Sequence, residues 1–141
     1  MSDTLEIRSA NGTTTLKIAP WQTPDPTRRL DYLDVALTAT GLQASTRIYN
    51  LHYTGGAGTL PVFFHDIASN WRGWRGEKRW ESIESDLKLT CTSTSLGSIN
   101  VAVEFDSYLA DPFIWSVRCS LMLESWQLDV LALQAKKVFR I

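Results

Sequence analysis

Apolar and polar residues alternate with a period of two through most of the first fifty positions. Leu5 and Ile7, then Leu16 and Ile18, alternate with polar neighbours on either side of Asn11-Gly12, a dipeptide suited to the turn of a two-stranded hairpin. Three prolines between Pro20 and Pro26 exclude a central strand there and predict a surface loop. Leu33, Val35, Leu37 and Ala39 form the next alternating run, Gly41 breaks it, and a further strand is expected through Ile48 to Tyr53. That makes a second hairpin.

The period then changes. Leu60, Phe63, Phe64, Ile67, Ala68 and Trp71 fall on one face at 3.6 residues per turn, which predicts a helix from about Leu60 to Arg72. Thr59 stands where a cap is needed, Pro61 where a missing N–H is tolerated, and Gly73 where a left-handed residue ends a helix. Period two returns at Leu87, Leu89 and Cys91, at Ile99 to Phe105 after Leu96-Gly97-Ser98, and at Trp115 to Leu123. A second helix, capped by Ser125, turns Leu128, Leu131, Ala132, Ala135 and Val138 or Phe139 inward, with Lys136, Lys137 and Arg140 complementing its dipole.

Strands, helix, strands and helix in this order predict an α+β fold: a single curved antiparallel sheet of about seven strands with both helices packed on one face. The apolar stripes of the helices and the apolar faces of the strands leave water only by covering one another. A two-sheet sandwich with peripheral helices is the alternative. The length fits one domain over residues 1–141, and no repeat or linker divides it.

Composition narrows the functional classes. Hydrophobic residues at 44% and charged residues at 21% describe a chain able to build a core. Fourteen basic residues against 15 acidic ones leave no chain-wide field for nucleic acid or an anionic membrane. The first residues lack a signal-peptide core, and no apolar run approaches the roughly 20 residues of a membrane span, so a cytoplasmic location is expected. Cys91 and Cys119 occupy apolar strand positions and read as buried free thiols, with no zinc-ligand spacing.

Candidate chemistry is sparse. His65-Asp66 are neighbours on a predicted helix, about 100° apart, and cannot form a dyad unaided. His52 takes a strand face opposite Leu51 and Tyr53. Gly55 to Gly58 lacks the Lys-Ser/Thr of a phosphate loop, no serine sits in a nucleophile elbow, and Glu81 with Glu84 reads as ion-paired to Lys78 and Arg79. The chain is therefore expected to be no enzyme, with no cofactor and no metal.

The densest feature is NWRGWRGEKRW, residues 70–80, which holds three of the six tryptophans. As a nucleic-acid surface, Trp71, Trp74 and Trp80 would stack on bases while Arg72, Arg75, Lys78 and Arg79 followed phosphates. Glu81, Glu84 and Asp86 follow at once and nearly cancel that charge. The structural reading has Trp71 continuing the inward helical stripe, Gly73 and Gly76 reversing the chain, and Trp74 and Trp80 covering the end of the core.

From Phe63-Phe64-His-Asp-Ile67 through Trp71-Arg-Gly-Trp-Arg-Gly-Glu-Lys-Arg-Trp-Glu-Ser-Ile-Glu84, the sequence resembles the central motif FFxDhAxxWRGWxGxKxWxShE of a bacterial family of unknown function. The likeness covers about residues 60 to 140. Some members of that group resemble the WapI-type immunity proteins of polymorphic toxin systems. The resemblance implies a cytoplasmic interaction protein that binds a cognate toxin domain and occludes it, as a monomer or weak homodimer. It also implies that Trp71, Gly73, Trp74, Gly76, Lys78, Trp80 and Glu84 serve the fold while the contact surface varies.

Aromatic and acidic loop residues are then the expected contacts: Trp21, Asp25, Asp106, Tyr108, Asp111 and Phe113. No nucleic-acid or membrane partner is expected. The competing expectation is a small-ligand or nucleic-acid binding module using the Trp/Arg corner.

Overall fold

A computed structural model describes residues 4–50, 59–107 and 115–139. Leu5–Arg8 and Thr15–Pro20 form β1 and β2, Tyr32–Ala39 and Leu42–Tyr49 form β3 and β4. Helix α1 spans Leu60–Ser69. Glu77–Glu81, Leu87–Ser93, Ser98–Ser107 and Trp115–Glu124 are β5 to β8, and α2 spans Leu128–Phe139.

The eight strands make two antiparallel sheets of four, in the orders β1-β2-β3-β4 and β5-β6-β7-β8. The expected single sheet of seven strands is thus corrected on two counts. The strand hidden in sequence is β5, whose five residues point one bulky side chain, Trp80, inward and so show no periodicity. The two sheets are separated in the chain by α1, and every strand after the first in each pairs with its predecessor. Two meanders result.

Alternation does the rest. In the first sheet, the register Leu5↔Ile18, Ile18↔Val35 and Leu33↔Ile48 aligns apolar residues on one face. In the second, Leu89↔Val103 and Val101↔Leu121 do the same. Both inward faces merge with the inward stripes of α1 and α2 into one core, where Phe64, Phe105 and Phe139 are fully buried. Burial of each such ring is worth about 1.5–3 kcal/mol. Helix α2 packs on α1 and against β1 and β2, while α1 reaches β5.

The two sheets are also tied at both ends. Ala10 N–H donates to the Met122 carbonyl (2.8 Å), Ile83 N–H donates to Asn50 Oδ1 (3.1 Å), and Thr46 and Ser107 hydroxyls meet at 3.2 Å. Therefore the end of the first sheet that holds β2's exit and β3's entry lies at the same end of the molecule as the β5–β6 turn.

Several local expectations shift by a few residues. The β1–β2 turn runs from Ser9 to Thr14, with Asn11 Oδ1 accepting from the Ser9 and Thr13 hydroxyls. Strand β4 starts at Leu42, directly after Gly41, and ends at Tyr49; Leu51 to Gly58, including His52, lie outside the described residues. Helix α1 stops at Ser69 because Asn70 caps it, its amide Nδ2 donating to the Asp66 carbonyl (2.8 Å). Gly73 instead shapes the turn that follows. Thr59 makes no side-chain cap, and the lead into α2 is a short 3-10 turn in which Gln127 Oε1 accepts the Glu124 N–H (2.9 Å), so Glu124 replaces Ser125 at the cap. Arg140 lies outside the described residues.

Candidate functional site

The Trp/Arg corner divides its three indoles among three environments. Trp80 is 7% exposed and its Nε1–H donates to Thr59 Oγ1 (2.8 Å), which ties β5 to the start of α1. Trp74 is half-buried against the core, with the Lys78 ammonium 5.5 Å from its ring centre. Trp71 does not continue the inward stripe, because α1 has already ended; it is 49% exposed, with the Arg72 guanidinium 5.1 Å from its ring. One indole of the three is open to solvent.

The ion pairs also differ from those expected. Lys78 binds Asp66 of α1 (2.9 Å) and Arg79 binds Glu77 (2.6 Å), while Glu81 accepts the Ser85 hydroxyl (3.0 Å). Glu84 is exposed in the β5–β6 turn. With Asp66 engaged by Lys78, His65 faces Ser69 (3.5 Å) and no dyad forms.

Outside the core, the second sheet presents a trough of about 670 Å³. The register places Arg79, Thr90, Ala102 and Ser120 in one row across it, and Glu81, Lys88, Glu104 and Arg118 in the next. The small residues Thr90, Ala102 and Ser120 of the first row make the hollow. Its charges answer one another: Arg79 pairs with Glu77, and Arg118 lies 3.8 Å from Glu104. Exposed pairs of this kind contribute little stability.

The first sheet's outward face is different. Trp21 meets Tyr32 edge to face (5.2 Å between ring centres), and Tyr32 meets Tyr49 in the same way (5.3 Å). The Arg47 guanidinium lies 5.3 Å over Trp21 and at the same time grips Asp34, Nε to Oδ1 at 2.9 Å. The Trp21 N–H donates to the Tyr32 carbonyl (3.0 Å), extending the sheet by one rung. All three rings are half-buried, so each leaves an edge to solvent.

Of the expected contact residues, Trp21 belongs to this cluster. Asp25 caps the 3-10 turn Pro26–Arg28, accepting the Thr27 hydroxyl (2.7 Å) and N–H (3.0 Å), and these bonds hold its carboxyl below the ordinary range. Asp106 lies outward on β7, where its N–H donates to the Asp86 carbonyl (3.0 Å). Asp86 is pushed above the ordinary carboxylate range by burial first, then by Asp106 and Glu84. Trp21, Asp25 and Asp106 share one end of the molecule. Tyr108, Asp111 and Phe113 lie outside the described residues.

Tyr32, Asp34, Arg47 and Tyr49 were not singled out in the sequence. Their signal was available: they occupy the polar phase of two alternating strands, and aromatic rings there have no core to fill.

Residues 7–141 match the profile of DUF6228, a family of unknown function. The chain belongs to DUF6228. No curated protein matches it. The family match covers both sheets and both helices of this DUF6228 chain from Ile7 onward, so the aromatic cluster lies inside the shared region as fully as the Trp/Arg corner does. Among its described residues no group of three or more His, Cys, Asp or Glu side chains could hold a metal ion, and no helix is long and apolar enough to cross a membrane. Cys91 is buried, its thiol pushed up to about 12 by desolvation, and Cys119 is half-buried; both are free.

Proposed function

We propose that this chain is an immunity protein that binds a cognate toxin domain and neutralises it by steric occlusion, with the end carrying Trp21 as the contact surface. The observation that supports this is the Trp21–Tyr32–Tyr49 cluster with Arg47 stacked on it and Asp34 behind. Trp, Tyr and Arg dominate interface energies, and rings already locked against one another lose little freedom on binding. The carboxylates of Glu84, Asp86 and Asp106 at the same end favour a basic partner surface, which would offset their mutual repulsion. The motif between Phe63 and Glu84 resembles that of a bacterial family of unknown function, and the resemblance of some of that group's members to WapI-type immunity proteins is the reason for naming a toxin as partner.

The test first seeks a toxin-like domain encoded beside this chain's own gene, whose absence would count against the reading, and then mixes that domain with this chain. Calorimetry is expected to give a one-to-one complex, with Trp21→Ala and Arg47→Ala each weakening it by about 30-fold or more, equivalent to roughly 2 kcal/mol. No complex, or a complex indifferent to both substitutions, defeats the reading. The exposed Trp71 with Arg72 sustains a second reading, a nucleic-acid module. Oligonucleotide binding that falls steeply with salt and is weakened by Arg72→Ala and Arg75→Ala would favour it.

A further inference from the structure

Helix α2 carries two apolar faces. Leu128, Leu131, Ala132, Ala135, Val138 and Phe139 are buried on one. Val130 and Leu133 form the other, 67% and 54% exposed, and Trp126, 73% exposed, precedes them in the 3-10 turn Ser125–Gln127. At about 100° per residue Val130 and Leu133 point directly away from the core. The stripe's spacing of four and three, continued by Lys137, is the spacing of a helix-pairing seam. Elsewhere in the described residues the exposed large apolar side chains, such as Val62, Ile83 and Leu96, do not recur on one stripe of one element. A repeated stripe of this kind marks a contact surface.

We infer that this stripe is a self-association surface, on which α2 of a second copy lies antiparallel about a two-fold axis. The occupant follows from charge. The first turn of α2 bears Asp129 and its last turn Lys136 and Lys137. A two-fold axis between Val130 and Leu133 sets Val130 of one copy on Leu133 of the other, and brings Lys137 to the face of the opposite Trp126. Asp129 and Lys136 lie on the same flank of the stripe, and a two-fold of this kind turns like flanks toward each other, so Asp129 of each copy approaches Lys136 of its mate. Opposite helix dipoles also align favourably. A uniformly charged partner would satisfy half of this pattern; a second copy satisfies all of it, as an isologous interface must. Three apolar side chains per copy put the buried area at the low end for specific complexes, below about 1,200 Å², so the dimer is weak.

This inference is independent of the toxin-binding reading, since it uses a different face. Sedimentation equilibrium of the full chain from micromolar to millimolar concentration tests it. The expected result is a monomer–dimer equilibrium that Val130→Glu and Leu133→Glu each weaken by about tenfold or more, as loss of a central anchor does. Both positions are solvent-exposed, so circular dichroism should show an unchanged fold. Asp129→Lys should also weaken the dimer, and Asp129→Lys with Lys136→Asp should restore it. A chain monomeric throughout the range, a dimer indifferent to these substitutions, or a double swap that restores nothing overturns the proposal. So does a different protein found seated on the stripe of a monomeric chain.

Discussion

On the first sheet, the outward face carries Trp21, Tyr32 and Tyr49 with Arg47 laid over Trp21; on the second, the outward side chains of the trough are charged or small. Inward, the two sheets are built alike, since each is a four-stranded meander whose buried residues, β5 apart, fall at every second position and are mostly aliphatic. The inward phase of a strand answers only to packing and volume. The outward phase is free of that demand, and there the sheets diverge into a rigid aromatic surface and a self-neutralised ionic hollow. Specific recognition is more economically built on the former, because aromatic anchors contribute more on desolvation than exposed ion pairs do.

The comparison is broken most forcefully by exchanging the roles of two tryptophans. Trp80 comes from the second sheet and is buried with its N–H bonded to Thr59, so Trp80→Ala should lower stability by about 3–5 kcal/mol in denaturant unfolding. Trp21 comes from the first sheet's surface, where it loses one edge-to-face contact and a stacked guanidinium, so Trp21→Ala should cost about 1 kcal/mol. Similar losses for both would place Trp21 in the core and remove it from the contact surface.

A smaller difference separates the glycines of the two sheets. Gly41 in the β3–β4 turn has φ +74° with open space where a Cβ would stand, so Gly41→Ala should cost only the left-handed backbone penalty, about 1 kcal/mol. Gly73, on the way into the second sheet, has φ +120°, a region held almost solely by glycine, and a Cβ would sit 2.9 Å from Ser93 Oγ. Gly73→Ala should therefore lose about 2–3 kcal/mol. Thermal unfolding of the two variants side by side checks the order, and equal shifts would show that the corner yields as readily as a hairpin turn.

The strands and helices were readable in the sequence wherever burial imposed a period. Leu16, Ile18, Val35 and Leu37 announced their strands, and Phe63, Phe64 and Ile67 announced α1, because each faces the same core. Strand β5 was not readable, since an edge strand with one inward residue produces no alternation. The end of α1 was misplaced because Trp71 sits at the right spacing for a stripe the helix no longer carries, which outweighed the stop signal of Asn70. The site was readable only in part: Trp21 stands out in a proline-rich loop, whereas Tyr32 and Tyr49, 17 positions apart, become neighbours through the β3–β4 register alone. Sequence spacing does not encode such pairs until the strand pairing is known.

The finest contrast lies between two aspartates. In the first sheet Asp34 accepts the Arg47 guanidinium; at the end of the second, Asp86 is partly withdrawn from water beside Asp106 and Glu84, and its carboxyl is raised above the ordinary 3.8. A carboxyl whose folded pKa exceeds its unfolded value holds its proton more tightly when folded. Its contribution to stability is then fully present below the unfolded pKa and lost as pH rises through the folded one. Asp86→Asn removes the charge while retaining a similar shape and the backbone carbonyl that Asp106 uses. The variant should match the wild type in acid and become modestly the more stable of the two as pH climbs to neutrality. Denaturant unfolding of both proteins across that range measures the divergence. A wild type that gained on the variant with rising pH would mean that Asp86 meets a cation at this end of the second sheet, making it the counterpart of Asp34 and erasing the electrostatic difference between the two.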